Sequence, residues 1–310
     1  MGKILKQHVS SIRQLKNKFS LMKISGFSFV RNAQKYDYPI VEAITSILPI
    51  CDDFILAVGK SDDNTLDLVK SISSPKIKII ETVWDDTLRE GGRVLAVETD
   101  KAFKAIPDDS DWAFYIQGDE VVHEKYLDTI YNEMLRWKDN PEVDGLLFNY
   151  QHFFGSYDYV GISTKWYRNE IRVIRNNKKI YSYRDAQGFR KDDNRKLSVK
   201  PVNACIYHYG WVKHPKSMQS KLESNSRFYF NDQWIDNNIA KKEEFDYSEI
   251  DALSLFGEKH PKVMEERIQK KNWKFDYDLS TNKLSLKHRV KLFMKNKLGI
   301  YIGYKNYKVI

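Results

Sequence analysis

Cysteine is scarce: Cys51 and Cys205 are the two in 310 residues, both in apolar surroundings and without metal-ligand spacing. A disulfide framework is therefore excluded, and both read as reduced core residues of a cytoplasmic protein. Long apolar runs are missing too, since no stretch approaches the ~18 residues of a membrane span. The opening residues MGKILKQHVSSIRQLKNKFSLM are basic but hold no uninterrupted apolar segment, so no secretory leader is expected. Internal repeats and low-complexity segments are absent. From Lys283 onward there is no acid at all, against Lys283, Lys287, Arg289, Lys291, Lys295, Lys297, Lys305 and Lys308. Such a tail suits an anionic partner, either a membrane surface or nucleic acid.

What is present suffices for a sizeable core: 42% hydrophobic and 14% aromatic residues, with 51 Lys+Arg against 42 Asp+Glu giving a net charge of +9. Apolar runs at 24–30 and 53–58 and the alternating KIKIIET at 76–82 read as strands, and the helical spacing at 38–48 and 65–73 places helices between them. A β-α-β-α-β series of this kind predicts an α/β fold with a mostly parallel sheet flanked by helices. An amphipathic helix over 94–106 leads to a strand at 112–116, and another helix is expected at 126–137. Further on, 145–150 reads as a strand and 151–168 as an aromatic-rich loop. Segments 172–175 and 179–183 read as a short hairpin pair, and 184–193 as a polar loop. Charged helical sequence begins near Pro215.

The stretch that organises the rest is DWAFYIQGDEVVHE at 111–124. Its apolar run stops at Gly118 followed by Asp119 and Glu120, which places paired acids at the carboxyl end of a strand. Ligands of open α/β sheets bind there, and oxygen-rich groups suit Mg²⁺ or Mn²⁺ and, through the ion, a diphosphate. The bland reading is a solvated turn.

Four segments in order carry a family likeness: ISGFSFVRNA (24–33), the strand and loop 56–65 with Asp62, Asp63 and Thr65, IQGDE (116–120), and HYGW (208–211). Together they resemble a family-2 glycosyltransferase of the GT-A fold, over roughly residues 22–220. The resemblance implies inverting transfer of a sugar from a nucleotide-diphosphate-sugar donor to a hydroxyl acceptor, a glycan or a lipid-linked molecule, in cell-surface polysaccharide or glycolipid synthesis. It also implies a divalent metal, Mn²⁺ or Mg²⁺, on an Asp-x-Asp turn. Here Gln117 stands at the first acidic position, so Asp119 is the expected metal ligand, with His208 beside it and Glu120 orienting the turn. The acidic pair that the family commonly carries after the second strand is replaced by Val58 and Gly59. Phe29, Arg31, Ser61, Asp62, Asp63, Arg93 and Gln117 are accordingly the candidates for holding the nucleotide and its phosphates.

Inverting displacement needs a base for the acceptor hydroxyl. Asp185, an acid in the polar loop YRDAQGFR between Arg184 and Arg190, is the first candidate; Asp192 and Asp193 are the runners-up. The plain alternative for Asp185 is a surface ion pair. In the tail, Val290, Leu292, Phe293, Leu298, Ile300, Tyr301 and Ile302 interleave with lysines, as in a helix lying on anionic lipid. The expected organisation is a basic extension (1–21), a nucleotide-sugar-binding catalytic domain (22–215) and a helical, basic C-terminal region (216–310). Peripheral contact with the inner face of a membrane fits the tail. Two rival readings remain, a nucleotidyltransferase and a non-enzymatic nucleic-acid binder. The first would want a glycine-rich loop after the first strand, and the second a recognition motif. Neither is present, and no nucleic-acid partner is expected.

Overall fold

The computed structural model describes residues 22–239, 242–298 and 304–310. The expected extension 1–21 lies outside them, as do Ile300, Tyr301 and Ile302. Strand and helix alternate first: β1 (Ile24–Val30), α1 (Ile40–Ile47), β2 (Asp53–Gly59), α2 (Thr65–Lys70), β3 (Ile77–Thr82), α3 (Arg93–Lys104) and β4 (Trp112–Tyr115). β1 pairs in parallel with β2 on one edge and β4 on the other, and β3 continues beyond β2.

β1, β2 and β4 are buried along both faces, whereas the edge strand β3 exposes Lys78 and Glu81. Alternate side chains point to opposite faces, so Phe54, Leu56 and Val58 of β2 join a core with α1, while Ile55 and Ala57 join a second core with Phe103 of α3. In β4, Trp112 and Phe114 divide from Ala113 and Tyr115 in the same way. Each fully buried side chain of this size contributes ~1.5–3 kcal/mol relative to exposure. The α/β class expected, helices on both faces of a central sheet, is the one that forms.

The chain continues through β5 (Glu120–Val122), α4 (Leu127–Trp137), β6 (Gly145–Phe154), β7 (Ser156–Gly161), β8 (Asn169–Arg175), β9 (Ile180–Tyr183), β10 (Gly188–Lys191), β11 (Arg195–Lys196) and β12 (Ser198–Trp211). Next come α5 (Pro215–Ser226), α6 (Asp232–Asn238), β13 (Leu253–Leu255), α7 (Glu265–Gln269), α8 (Leu286–Leu298) and β14 (Lys308–Val309). β8 runs antiparallel to both β4 and β6, and β7 and β13 extend that edge. β12 lies parallel to β6 and antiparallel to the short β5.

Several expectations for this later portion are corrected. The segment 151–168 is not one loop: β6 runs on to Phe154 and β7 follows, because Phe153, Phe154 and Tyr157 bury themselves in aromatic cores. Segments 172–175 and 179–183 do not pair, since β8 is held between β4 and β6 while β9 pairs with β10 in a separate three-stranded sheet. The polar stretch 184–193 therefore contains a strand, β10, whose Phe189 is fully buried. The region after Pro215 is not helical alone, because β13 joins β7 and β14 joins β12. The tail helix is described as far as Leu298, and residues 304–310 lie against the core, where Arg190 donates to the Asn306 carbonyl at 2.7 Å and to the Tyr304 hydroxyl at 2.8 Å. Cys51 and Cys205 are both buried, and no disulfide joins them. Among the described residues no helix is long and apolar enough to cross a membrane.

Candidate active site

The chain leaves β1 toward β2 on one side, and β4 lies on the other, so the loops after β1 and β4 diverge. Divergence at such a switch point opens a crevice outside the carboxyl ends of the strands. A cleft of about 720 Å³ lies there, lined by Phe29 and Arg31 from β1 and its loop and by Gln117 and Asp119 from the turn after β4. Asp62, Asp185, Lys221 and Tyr229 complete its walls.

The turn is held from below. Glu120 is fully buried and accepts from the Gln117 backbone N–H at 3.1 Å, so it orients the turn. Arg172 grips the same carboxylate with two parallel bonds, Nε at 2.8 Å and Nη2 at 2.7 Å, and the Tyr150 hydroxyl donates at 2.8 Å. Buried charges persist only when paired and hydrogen-bonded in this way. Gln117 turns its amide to the Ala186 carbonyl, 3.1 Å away.

Asp119 faces the cleft. Lys221 Nζ donates to its Oδ2 at 3.1 Å and to the Gly210 carbonyl at 2.9 Å, while His208 Nε2 lies 3.7 Å from the same oxygen. Burial alone would raise the Asp119 carboxyl, but the neighbouring charge of Lys221, then His208 and Lys213, outweighs it and holds the group well below the usual carboxylate range. Burial pushes the His208 imidazole down to about 4. Lys213 is fully buried, and burial followed by repulsion from Lys221 pushes its ammonium down to about 7.

Asp185 sits on the turn between β9 and β10, flanked by Arg184 (φ 56°) and Ala186 (φ 63°), two left-handed non-glycine residues. Such strain concentrates at sites where a side chain must be aimed. Tyr229 donates to Asp185 Oδ2 at 2.9 Å, and Oδ1 is buried without a partner. Gly92 makes the approach possible: at φ 70°, a Cβ there would stand 2.5 Å from Asp185 Cβ. Gly59 likewise admits the Trp84 indole, which walls the cleft.

The cleft thus gathers Phe29, Arg31, Asp62, Gln117, Asp119 and Asp185. Arg31 is paired there with Asp86 at 2.6 Å. His208 stands behind Asp119. Ser61 and Asp63 brace the loop instead of facing the cleft: the Ser61 hydroxyl accepts from the Asn32 N–H, and Asp63 accepts from the Thr65 and Lys35 N–H groups. Arg93 is an exposed first residue of α3, Asp192 pairs with Arg195, and Asp193 is exposed, all outside the cleft lining. Lys221, Arg172, Tyr229 and Gly210 escaped the sequence reading. The one available signal was the glycine of HYGW, since no spacing ties Lys221 or Arg172 to the acid turn.

Asp119 Oδ2 and His208 Nε2 fit a divalent ion held by two protein donors. A Cβ on Gly210 would come within 2.7 Å of both atoms, so the glycine keeps the space between them clear. Among the described residues there is no cluster of three or more His, Cys, Asp or Glu side chains, so further ligands would be substrate oxygens.

No protein-family model matches the chain, and no curated protein matches it. Solved structures similar to it include 4-diphosphocytidyl-2C-methyl-D-erythritol synthase from Anaerococcus prevotii, at 14% identity over 67% of this chain and 96% of that one, TM-score 0.36. Residues 1–349 of TarS from S. aureus in complex with UDP match at 15% identity over 72% of this chain and 68% of that one, TM-score 0.38. Glucosyl-3-phosphoglycerate synthase from Mycobacterium tuberculosis in complex with Mn²⁺, UDP and phosphoglyceric acid matches at 15% over 46% of this chain and 47% of that one, TM-score 0.31. Likenesses this distant do not identify the fold by superposition; the α/β assignment rests on the sheet itself.

Proposed function

We propose that the protein is a glycosyltransferase that moves a sugar, with inversion, from a nucleotide-diphosphate-sugar donor to a hydroxyl acceptor. The observation that carries this reading is the convergence of Asp119, Lys221 and Asp185 on one cleft at the switch point of the sheet. A leaving diphosphate needs positive charge and an attacking hydroxyl needs a base, and the cleft offers both. Lys221 provides a fixed ammonium for the phosphates, with Arg31 at the other wall. Asp119 and His208 would hold a divalent ion, which when bound supplies further charge to the leaving group. Asp185, with one carboxylate oxygen on Tyr229 and the other uncommitted, takes the acceptor proton. The acceptor belongs to polysaccharide or glycolipid synthesis, and α8 brings the protein to an anionic membrane surface.

A thermal-shift screen of nucleoside diphosphates and nucleotide sugars, with and without Mn²⁺, tests the donor site, because a ligand selective for the folded state raises Tm. At least one diphosphate should stabilise; no shift with any of them defeats the reading. Asp185→Asn should lower kcat by about 10²–10⁴-fold with donor affinity kept. Undiminished turnover removes Asp185 from the role of base.

A further inference from the structure

The pairing of β6 with β12 sets His152 directly across from His208. Their Nδ1 atoms are 3.1 Å apart, and His152 Nε2 lies 2.6 Å from the Tyr167 carbonyl oxygen. A carbonyl only accepts, so His152 Nε2 carries a proton. His152 is enclosed by the rings of Tyr150, Trp166 and Tyr167, and such burial keeps an imidazole neutral. A neutral imidazole has one proton, which is already on Nε2; His152 Nδ1 is therefore an acceptor, and the proton between the two rings belongs to His208 Nδ1. That leaves His208 Nε2 with a bare lone pair.

The lone pair faces the Asp119 carboxylate at 3.7 Å, across the gap that Gly210 leaves open. Two electron-pair donors confronting one another attract a cation. Lys221 Nζ supplies one on the Asp119 side, and the spacing admits a divalent ion between carboxylate and imidazole. We propose that His152 is a positioning residue: through the Tyr167 carbonyl it fixes His208 as the Nδ1–H tautomer, so that His208 Nε2 is a ready ligand for a divalent cation shared with Asp119. The inference rests on reading Asp119 and His208 as the cation site. Outer partners of this kind fix both the tautomer and the ring orientation of a metal-binding histidine, and losing one costs about 10–100-fold in metal affinity.

Two measurements on the full chain test it. In metal-free protein, long-range ¹H–¹⁵N spectra of the imidazoles should show His208 protonated on Nδ1 and His152 on Nε2. A His208 proton on Nε2 overturns the proposal while leaving the glycosyltransferase reading untouched. Next, Mn²⁺ binding is followed by the loss of the free-ion EPR signal, in the presence of a nucleoside diphosphate. His152→Phe, which keeps a ring but breaks the chain of hydrogen bonds, should weaken Mn²⁺ binding about 10–100-fold. His152→Asn, whose Oδ1 can accept from His208 Nδ1–H, should restore most of it, with circular dichroism confirming the fold of each variant. A folded His152→Phe that binds Mn²⁺ like the unaltered protein overturns the proposal. If the unaltered protein binds no Mn²⁺, the cation site and the role of His152 fall together, whereas nucleotide-induced stabilisation stands or falls on its own.

Discussion

The run β3-β2-β1-β4 and the strands that follow it contribute to the cleft in opposite ways. In the first region every pairing is parallel, and β1, β2 and β4 are buried along both faces while the edge strand β3 exposes Lys78 and Glu81. It supplies the crevice itself and the loop residues Phe29, Arg31, Asp62, Gln117 and Asp119. In the second region the pairings are largely antiparallel, local hairpins stand beside pairings of long sequence separation, and single strands such as β12 touch β5, β6 and β14. It supplies Asp185 to the cleft, sets His208 behind Asp119, and leads on to Lys221 and Tyr229. Topology makes the place for a ligand, then, and contacts of long sequence separation bring the Lys221 ammonium and the Asp185 carboxylate to it.

The largest expected effect lies on the seam between the two regions. Arg172 of β8 is fully buried against Glu120 of the acid turn, so Arg172→Met leaves an uncompensated carboxylate in the interior. Breaking a buried pair from one side costs about 3–5 kcal/mol. Guanidinium denaturation should show that loss as a lower midpoint. A change under about 1 kcal/mol, typical of a surface pair, would mean the seam is dispensable.

Next comes the contact by which the first region aims a residue of the second. Gly92 caps α3 in the left-handed region and lies against Asp185, so Gly92→Ala is expected to push the turn between β9 and β10 away from the cleft. A displacement of about 1 Å can cost roughly 10²-fold in rate. The strained φ adds about 1–2 kcal/mol of instability. Paired kcat and Tm measurements separate the two, and full activity with lowered Tm would show that Asp185 needs no such placement.

The same contrast explains what was legible in the sequence. β1, β2 and β4 were readable because burial on both faces leaves continuous apolar runs, β3 because its residues alternate, and the helices between them by their local periodicity. The acid turn was readable because a strand end with carboxylates has few structural reasons to exist. β7 and β10 were not readable, because strands with mixed polar and aromatic residues resemble loops until their partners are known. Lys221 was invisible for a different reason: it meets Asp119 across 102 residues, on a helix whose sequence gives no hint of that meeting. Ser61, Asp63 and Arg93 lie outside the cleft lining, since proximity to a strand end does not decide whether a side chain turns toward the cleft or into the loop.

A pH-dependent effect is expected inside the antiparallel region, at Glu170 of β8. Burial first, then the nearby Glu120 and Asp185 acting against Arg172, pushes its carboxyl up to about 8 from the ordinary 4.5. Between those values the native state holds a proton that the unfolded chain has released, so stability falls as the pH rises. The contribution is complete below the unfolded value and is lost as the pH passes through the folded one. The slope is at most about 1.4 kcal/mol per pH unit. Glu170→Gln should flatten Tm between pH 5 and 8 and make the protein relatively more stable at the alkaline end. An unchanged pH profile would show that Glu170 is ionised in the fold.

The smallest effect on stability, and a specific one on location, is expected where neither region covers the chain. Along α8, Leu286, Val290 and Phe293 recur at helical spacing and are 76%, 50% and 58% exposed, between Lys287, Arg289 and Lys291. An apolar row flanked by cations suits the boundary between anionic headgroups and acyl chains, and it gives the fold little in return. Phe293→Ser should therefore change the unfolding free energy by no more than about 0.5 kcal/mol. Co-sedimentation with vesicles containing phosphatidylserine should nevertheless fall, and neutral vesicles should retain little protein in either case. Binding that is equal for both proteins, or equal for both vesicle types, would leave α8 as an ordinary exposed helix and remove the membrane from the proposed function.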